Sequence, residues 1–420
     1  MFRRAILKKL FVAAAAVGMT VGASMNASAA NDTIRIAYID PLSGPFANVG
    51  DAGAKHFIYL ANMINEEGGI LGKKVEIIPY DNKVSAQESL QILRKVADEG
   101  IQYITQGNGS SVGGALIDGV NKHNARHPDK PILYLNYAAV NPDFTNDDCS
   151  FWHFRFDANS AMKLQAITDY IKTQKDIKKV FLINQDYSFG QGVSRIAKEL
   201  LAKKRPDIKI VGDVLHPIGK VKDFSPYIAQ IKASGADAVI TGNWGNDMSL
   251  LVKAGADAGL DVQYYTFYAG GLGAPTAIGE SGVGKVKQVT EWEENLAERY
   301  NLEDTRKIME DFDKRYPEIE FYYYRVMTEL NMLKKAMEKA GTTDPKAVAY
   351  AMEGMKMQTS LGEVTMRRLD HQLIQPLFIS TFSKDYLKYD SEDTGFGWTL
   401  DKKIPAEDTA LPTTCEMKRP

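Results

Sequence analysis

Several kinds of protein are excluded by what this chain of 420 residues lacks. Cysteine is nearly absent: Cys149 and Cys415 are the only two, and they lie too far apart for CxxC redox chemistry. The six histidines (His56, His123, His127, His153, His216, His371) form no metal-ligand set. His123 and His127 share a helix face, but the glutamate that HExxH order requires is missing between them, so no zinc is expected. No charge of one sign dominates, with 51 Lys+Arg against 53 Asp+Glu interspersed along the chain, which speaks against nucleic acid or an anionic membrane surface as partner. Beyond the N-terminal leader no apolar run approaches the length of a membrane span. Repeats, low-complexity tracts and flexible linkers are also missing. So are GxSxG, a credible triad and a GK[ST] loop, and Ser110 has no adjacent histidine, so the chain does not read as an enzyme.

What is present begins with a leader. Arg3, Arg4, Lys8 and Lys9 precede an apolar run that closes on Ala27-Ser28-Ala29, the layout of a cleaved secretory signal over residues 1–29. Position 30 is Ala, so the cysteine of a lipoprotein anchor is missing, and a soluble periplasmic protein is expected. Loss of the leader's four cationic residues takes the net charge from −2 to −6. Roughly 390 residues remain, more than one ordinary core holds and suited to two domains. Export to an oxidising compartment favours a structural Cys149–Cys415 disulfide over two free thiols.

Strand-like and helix-like segments alternate. Ile34–Ile39, Lys74–Pro79, Ile101–Thr105 and Pro131–Leu135 read as strands, separated by helical patterns near 52–66, 86–98 and 113–125. The rhythm then restarts with Lys178–Asp186 and continues through further strands, among them Gly284–Trp292, to helices near 306–315, 321–341 and 344–354 and a strand at Leu373–Ser380. The last forty residues read as irregular surface chain. Such alternation predicts βαβ units, mostly parallel sheets and an α/β fold run twice, with a hinged cleft between the copies.

The glycine-punctuated loop after the first strand, "LSGPFANVGDAG", is not GxGxxG, and Phe46 and Val49 protrude where a diphosphate needs bare backbone. Asp81 would suit a dinucleotide ribose, but no cofactor is expected. A loop leading into a helix N-terminus binds a carboxylate as readily as a phosphate. The same layout recurs at "TQGNGSSVGGA", with Ser110 and Ser111 before a helix, and at "LNYAAVNPDF", which places Tyr137, Ala138, Ala139 and Val140 at a third strand end. Three such loops converge on one crevice in an open α/β sheet.

"PLSGPFANVG", "ANMINEEGGILGKKVEIIPYDN", "INQDYSFGQG", "KDFSPYIAQIKASGADAVI", "LLVKAGADAGL" and "LDHQLIQPLFI" together resemble the solute-binding proteins of branched-chain amino-acid-type ABC importers. The resemblance implies a type I periplasmic-binding fold of two Rossmann-like lobes joined by three crossovers. Lobe 1 would be 30–157 plus 287–360, and lobe 2 would be 158–286 plus 361–420. It also implies a monomer that delivers a small ligand to a permease pair and ATPases in the inner membrane. Periplasmic sensing of amides or small acids is the alternative on the same fold, and a branched-chain or other hydrophobic amino acid the alternative cargo.

Mapped on the family's site, the carboxylate-binding serine falls on Ser110. The Ala-Ala-Thr element falls on Ala138, Ala139 and Val140, and two tyrosines fall on Phe189 and Trp244. The ammonium-binding glutamate falls near Gly270, so a carboxylate is missing there unless Asp186 or Asp247 replaces it. With Phe46, Val49, Tyr137, Tyr268 and Tyr322 added, the wall reads as apolar and aromatic. The expected cargo is therefore an organic anion without an α-amino group, such as an aromatic carboxylate. Arg155, just before the first crossover, could reach a ligand carboxylate with two donors, but a structural role in the hinge is expected ahead of that.

Overall fold

The computed structural model describes residues 33–420. The leader expected over 1–29, with its cleavage site, lies outside the described residues. Strands β1 (Thr33–Asp40), β2 (Lys74–Asp81), β3 (Tyr103–Gln106), β4 (Leu133–Asn136) and β5 (His153–Arg155) form a parallel sheet in the order β2-β1-β3-β4-β5. Helices α1 (Ala47–Glu66), α2 (Ala86–Asp98) and α3 (Ser110–Arg126) connect them. Burial on both faces explains the apolar runs. Along β1, Ile34, Ile36 and Tyr38 join the core that contains α1, while Ala37 and Ile39 face the core under α2 and α3.

The chain then crosses to α4 (Ser160–Ile171) and builds a second sheet. Its units are β6 (Lys179–Gln185), α5 (Ser188–Lys204), β7 (Lys209–His216), α6 (Ser225–Ser234), β8 (Ala238–Thr241), α7 (Asn246–Asp257), β9 (Gln263–Thr266), α8 (Ala274–Ile278) and β10 (Val286–Thr290). The alternation repeats in β6, where Val180 and Leu182 face one core and Phe181 and Ile183 the other. The chain returns to the first lobe through α9 (Asn295–Arg299), α10 (Glu303–Arg315), α11 (Tyr324–Ala340) and α12 (Pro345–Met352). β11 (Lys356–Thr359), β12 (Gly362–Met366) and β13 (Leu373–Ile374) make a small antiparallel sheet at the hinge. Finally β14 (Leu377–Ser383) and β15 (Gly397–Ile404) add to the second sheet antiparallel, followed by α13 (Ala406–Thr409).

The second sheet runs β15-β14-β10-β9-β8-β6-β7, so its parallel part repeats the strand order of the first. Each sheet therefore has a switch point, between β1 and β3 and between β6 and β8, where ligands bind on this topology. Three expectations are corrected. β10 pairs with β9 and β14, so the boundary drawn at 286/287 moves past Thr290. The boundary at 360/361 falls inside the β11–β12 hairpin, and the second sheet is re-entered only at β14. The last forty residues are not irregular throughout, because β15 pairs with β14 along its length.

Cys149 and Cys415 form a disulfide with Cα atoms 5.7 Å apart. It fastens the tail to the first lobe, although the tail was expected to lie with the second. Thr413 Oγ1 donates to Thr145 O at 2.6 Å and Asn146 Oδ1 accepts from the Thr414 N–H at 3.1 Å. Arg155, fully buried, does serve the hinge: its Nε donates to Gln372 Oε1 at 2.8 Å and its backbone N–H to His371 O at 2.9 Å.

Candidate ligand cleft

Loops from both switch points meet between the lobes. They surround about 480 Å³ of space free of protein atoms, its solvent-open part included. From the first lobe come Val49, the run Gly107–Ser110, Ala138, Val140, Tyr322, Tyr323 and Arg325. From the second come Tyr187, Phe189, Trp244, Gly245, Tyr268, Gly271 and Leu272.

The 107–110 loop is held from below. Asp40, at the end of β1, accepts the N–H groups of Gly107 at 3.1 Å and Asn108 at 2.9 Å, and the Tyr137 hydroxyl at 2.7 Å. Tyr137 in turn accepts from Asn108 Nδ2 at 2.8 Å. Gly109 caps α3 with φ of +94°, a backbone shape that L side chains rarely adopt. The first bonds back to Gly109 O come from Val112 and Gly113, which leaves the N–H groups at Ser110 and Ser111 as the open end of the helix. This end suits an anion.

The opening glycine loop serves close packing rather than phosphate. A Cβ at Gly50 would lie 1.7 Å from Pro41 O. Asp81 holds that loop by accepting the Leu42 N–H at 2.9 Å and the Ser43 hydroxyl at 2.5 Å. Phe46 then reaches the second lobe, its ring centroid 4.3 Å from that of Trp244, and Asn48 Nδ2 donates to Leu272 O at 3.0 Å. The lobes thus touch across the cleft mouth.

Of the residues singled out in the sequence, Val49, Ser110, Ala138, Val140, Phe189, Trp244, Tyr268 and Tyr322 line the space. Five do not. Ser111 is exposed, and the Ala139 N–H is taken by Asn136 Oδ1 at 2.7 Å. Tyr137 is buried beneath the loop and Phe46 wedges behind Trp244. At Gly270 a Cβ would lie 2.1 Å from Gln288 Oε1, so the neutral amide of β10 fills the place of a side chain there. Neither carboxylate offered as a replacement reaches the cavity. Asp186 is exposed, and Asp247 accepts from Gln185 Nε2 and the Gly219 N–H, both at 2.8 Å.

Of the lining residues that sequence reasoning missed, Tyr187 and Arg325 bear most on the chemistry. Tyr187 stands two positions before Phe189 and also lines the cleft, its hydroxyl accepting from Trp244 Nε1 at 2.8 Å. Adjacent aromatics at a strand end were the available signal. Arg325 gave none, because a cation in a helical pattern reads as solvated. It is buried, paired with Glu291, and its Nη1 lies 3.9 Å from Asp157 Oδ2. Burial opposes its charge, but Glu291 and Asp157 outweigh that and hold its pKa well above the ordinary value.

A family model described as periplasmic binding protein matches residues 33–386. The chain is 30% identical to Leu/Ile/Val-binding protein homolog 4 of Brucella abortus, over 98% of this chain and 99% of that one. The closed structure of a leucine-, isoleucine-, valine-, threonine- and alanine-binding protein from Brucella ovis superposes with a TM-score of 0.81 at 30% identity, covering 92% of this chain and all of that one. A solute-binding protein of an ABC transporter from Rhodopseudomonas palustris, in complex with p-hydroxybenzoic acid, shares the fold with a TM-score of 0.74 at 20% identity, covering 89% of this chain and 98% of that one. With a two-lobe type I fold, paired switch points and a cleft between them, the chain belongs to the periplasmic binding protein family, among the leucine/isoleucine/valine-binding-protein-like solute receptors of ABC transporters.

Proposed function

We propose that this receptor captures a small organic anion without an α-amino group, an aromatic carboxylate of the benzoate or phenylpropenoate kind, and passes it as a monomer to its permease. One observation carries the reading: among the described residues no Asp or Glu lines the cavity, and its one ionised wall residue is the cation Arg325. A buried ammonium without a counter-charge costs several kcal/mol, so a zwitterionic amino acid is disfavoured. The open end of α3 beside Ser110 suits the carboxylate, and Tyr187, Phe189, Trp244 and Tyr268 suit a flat ring. The fold accommodates such cargo in the Rhodopseudomonas protein bound to p-hydroxybenzoic acid.

Amino-acid cargo is the second reading, favoured by the names of the Brucella relatives. A thermal-shift screen across amino acids, aromatic acids and their amides separates the two, because ligand at about a hundred times Kd stabilises by about 2.7 kcal/mol. Aromatic acids are expected to give the largest shifts. An aliphatic amino acid at the head of the ranking would overturn the proposal.

A further inference from the structure

Arg325 stands on the first turn of α11 and is 2% exposed. Its Nη1 pairs with Glu291, on the second crossover, and approaches Asp157, on the first. Asp157 is itself held by Lys163 of α4 at 2.9 Å. Tyr322 and Tyr323 cover the guanidinium, with Cζ 5.8 and 5.1 Å from their ring centroids. Yet among the described residues Arg325 Nε–H, itself buried, has no acceptor. A buried donor left unpaired is costly, and its persistence needs a reason. A guanidinium presents donors along more than one edge, so one edge can hold Glu291 while another faces a ligand; a lysine ammonium lacks that geometry.

We infer that Arg325 is the specificity-determining residue that reads the cargo's negative charge: a guanidinium N–H not held by Glu291 donates to an oxygen of the bound anion. Glu291 and Asp157 fix the guanidinium in position for that contact. Because these acids sit on the crossovers, while Arg325 and Lys163 belong to different lobes, the charge that meets the ligand is anchored at the hinge itself. This assignment rests on the organic-anion reading of the cleft.

The test is a ratio, which loss of packing alone does not move. Dissociation constants are measured for the near-isosteric pairs benzoate and benzamide, and cinnamate and cinnamamide. The unaltered protein should prefer the acid at least about tenfold, as expected for a hydrogen bond to a charged group. The double variant R325Q/E291Q, which removes cation and anion together, should lower that ratio at least about threefold, leaving only the preference that Ser110 and the end of α3 supply. E291Q alone keeps the cation and should hold the ratio at or above its original value. If the unaltered protein binds none of the four probes, the organic-anion reading falls and the assignment with it. If the acids bind but the ratio survives in R325Q/E291Q, the assignment alone is overturned. Should that variant fail to fold, E291Q decides, and a ratio below the original overturns the assignment.

Discussion

Ser110 lines the cleft from the first lobe and Trp244 from the second, so the proposed cargo would touch both lobes. Trp244→Ala should weaken binding of an aromatic acid by about 2 kcal/mol or more, because the indole is a buried anchor. Titration calorimetry measures this, and a loss under about threefold would argue that Trp244 only packs the lobe. Ser110→Ala should weaken benzoate more than benzamide, by roughly 1 kcal/mol or more; equal losses would remove the serine from the anion end. Protonation sets a further expectation. Burial pushes Asp40 up to about 7, against the hydrogen bonds from Tyr137, Asn108 and Gly107. Burial likewise pushes Glu293 and Glu329 up to about 8. These groups keep protons in the folded state that the unfolded chain has released. Their stabilisation is complete below the ordinary carboxylate range and is lost as pH rises through their folded values. Buried His56 acts oppositely: burial lowers its pKa from 6.5 to about 3, and its contribution is lost only as the medium turns acid. The melting temperature should therefore fall from about pH 7 to about pH 9. A flat or rising curve would contradict these protonation states.

At the scale of elements, β1 to β4 and the helices between them were legible because each strand is an apolar run bounded by turn residues, whereas β5, the three residues His153–Arg155, was not. β15 was not, since "GWTLDKKI" carries charges and lies at the sheet edge, where charged residues protect an open strand and mimic loop composition. The glycine-rich turn before α3 was legible as a loop leading into a helix N-terminus, but the depth of its support was not. Asp40 lies 67 residues from Gly107, and only the folded sheet brings them together. Gly109 is the point where that element is most exposed to substitution. Gly109→Ala forces an unfavourable φ and sets a Cβ 3.1 Å from Val84 Cγ1. It should cost about 1–3 kcal/mol in urea unfolding. A change within about 0.5 kcal/mol would show that the loop relaxes without strain.

The whole molecule is two similar lobes held by three crossovers and by a tail that returns from the second lobe to the first. The duplication was legible as a repeated rhythm, whereas the charges shared between crossovers were not, because Asp157, Lys163, Glu291 and Arg325 are scattered in sequence. Removing the tail's bond in a Cys149→Ser, Cys415→Ser variant should lower unfolding free energy by about 2–5 kcal/mol. Denaturant unfolding checks it, and an unchanged midpoint would mean the tail's hydrogen bonds suffice without the disulfide. The cleft itself is judged most directly by titration calorimetry of residues 30–420 against benzoate, cinnamate, leucine, isoleucine, valine and phenylalanine under one set of conditions. A cavity walled by Arg325, Ser110 and aromatic rings, with no carboxylate, predicts micromolar or tighter binding of an aromatic acid and no measurable heat from the amino acids. Micromolar or tighter binding of any of the four amino acids would contradict it.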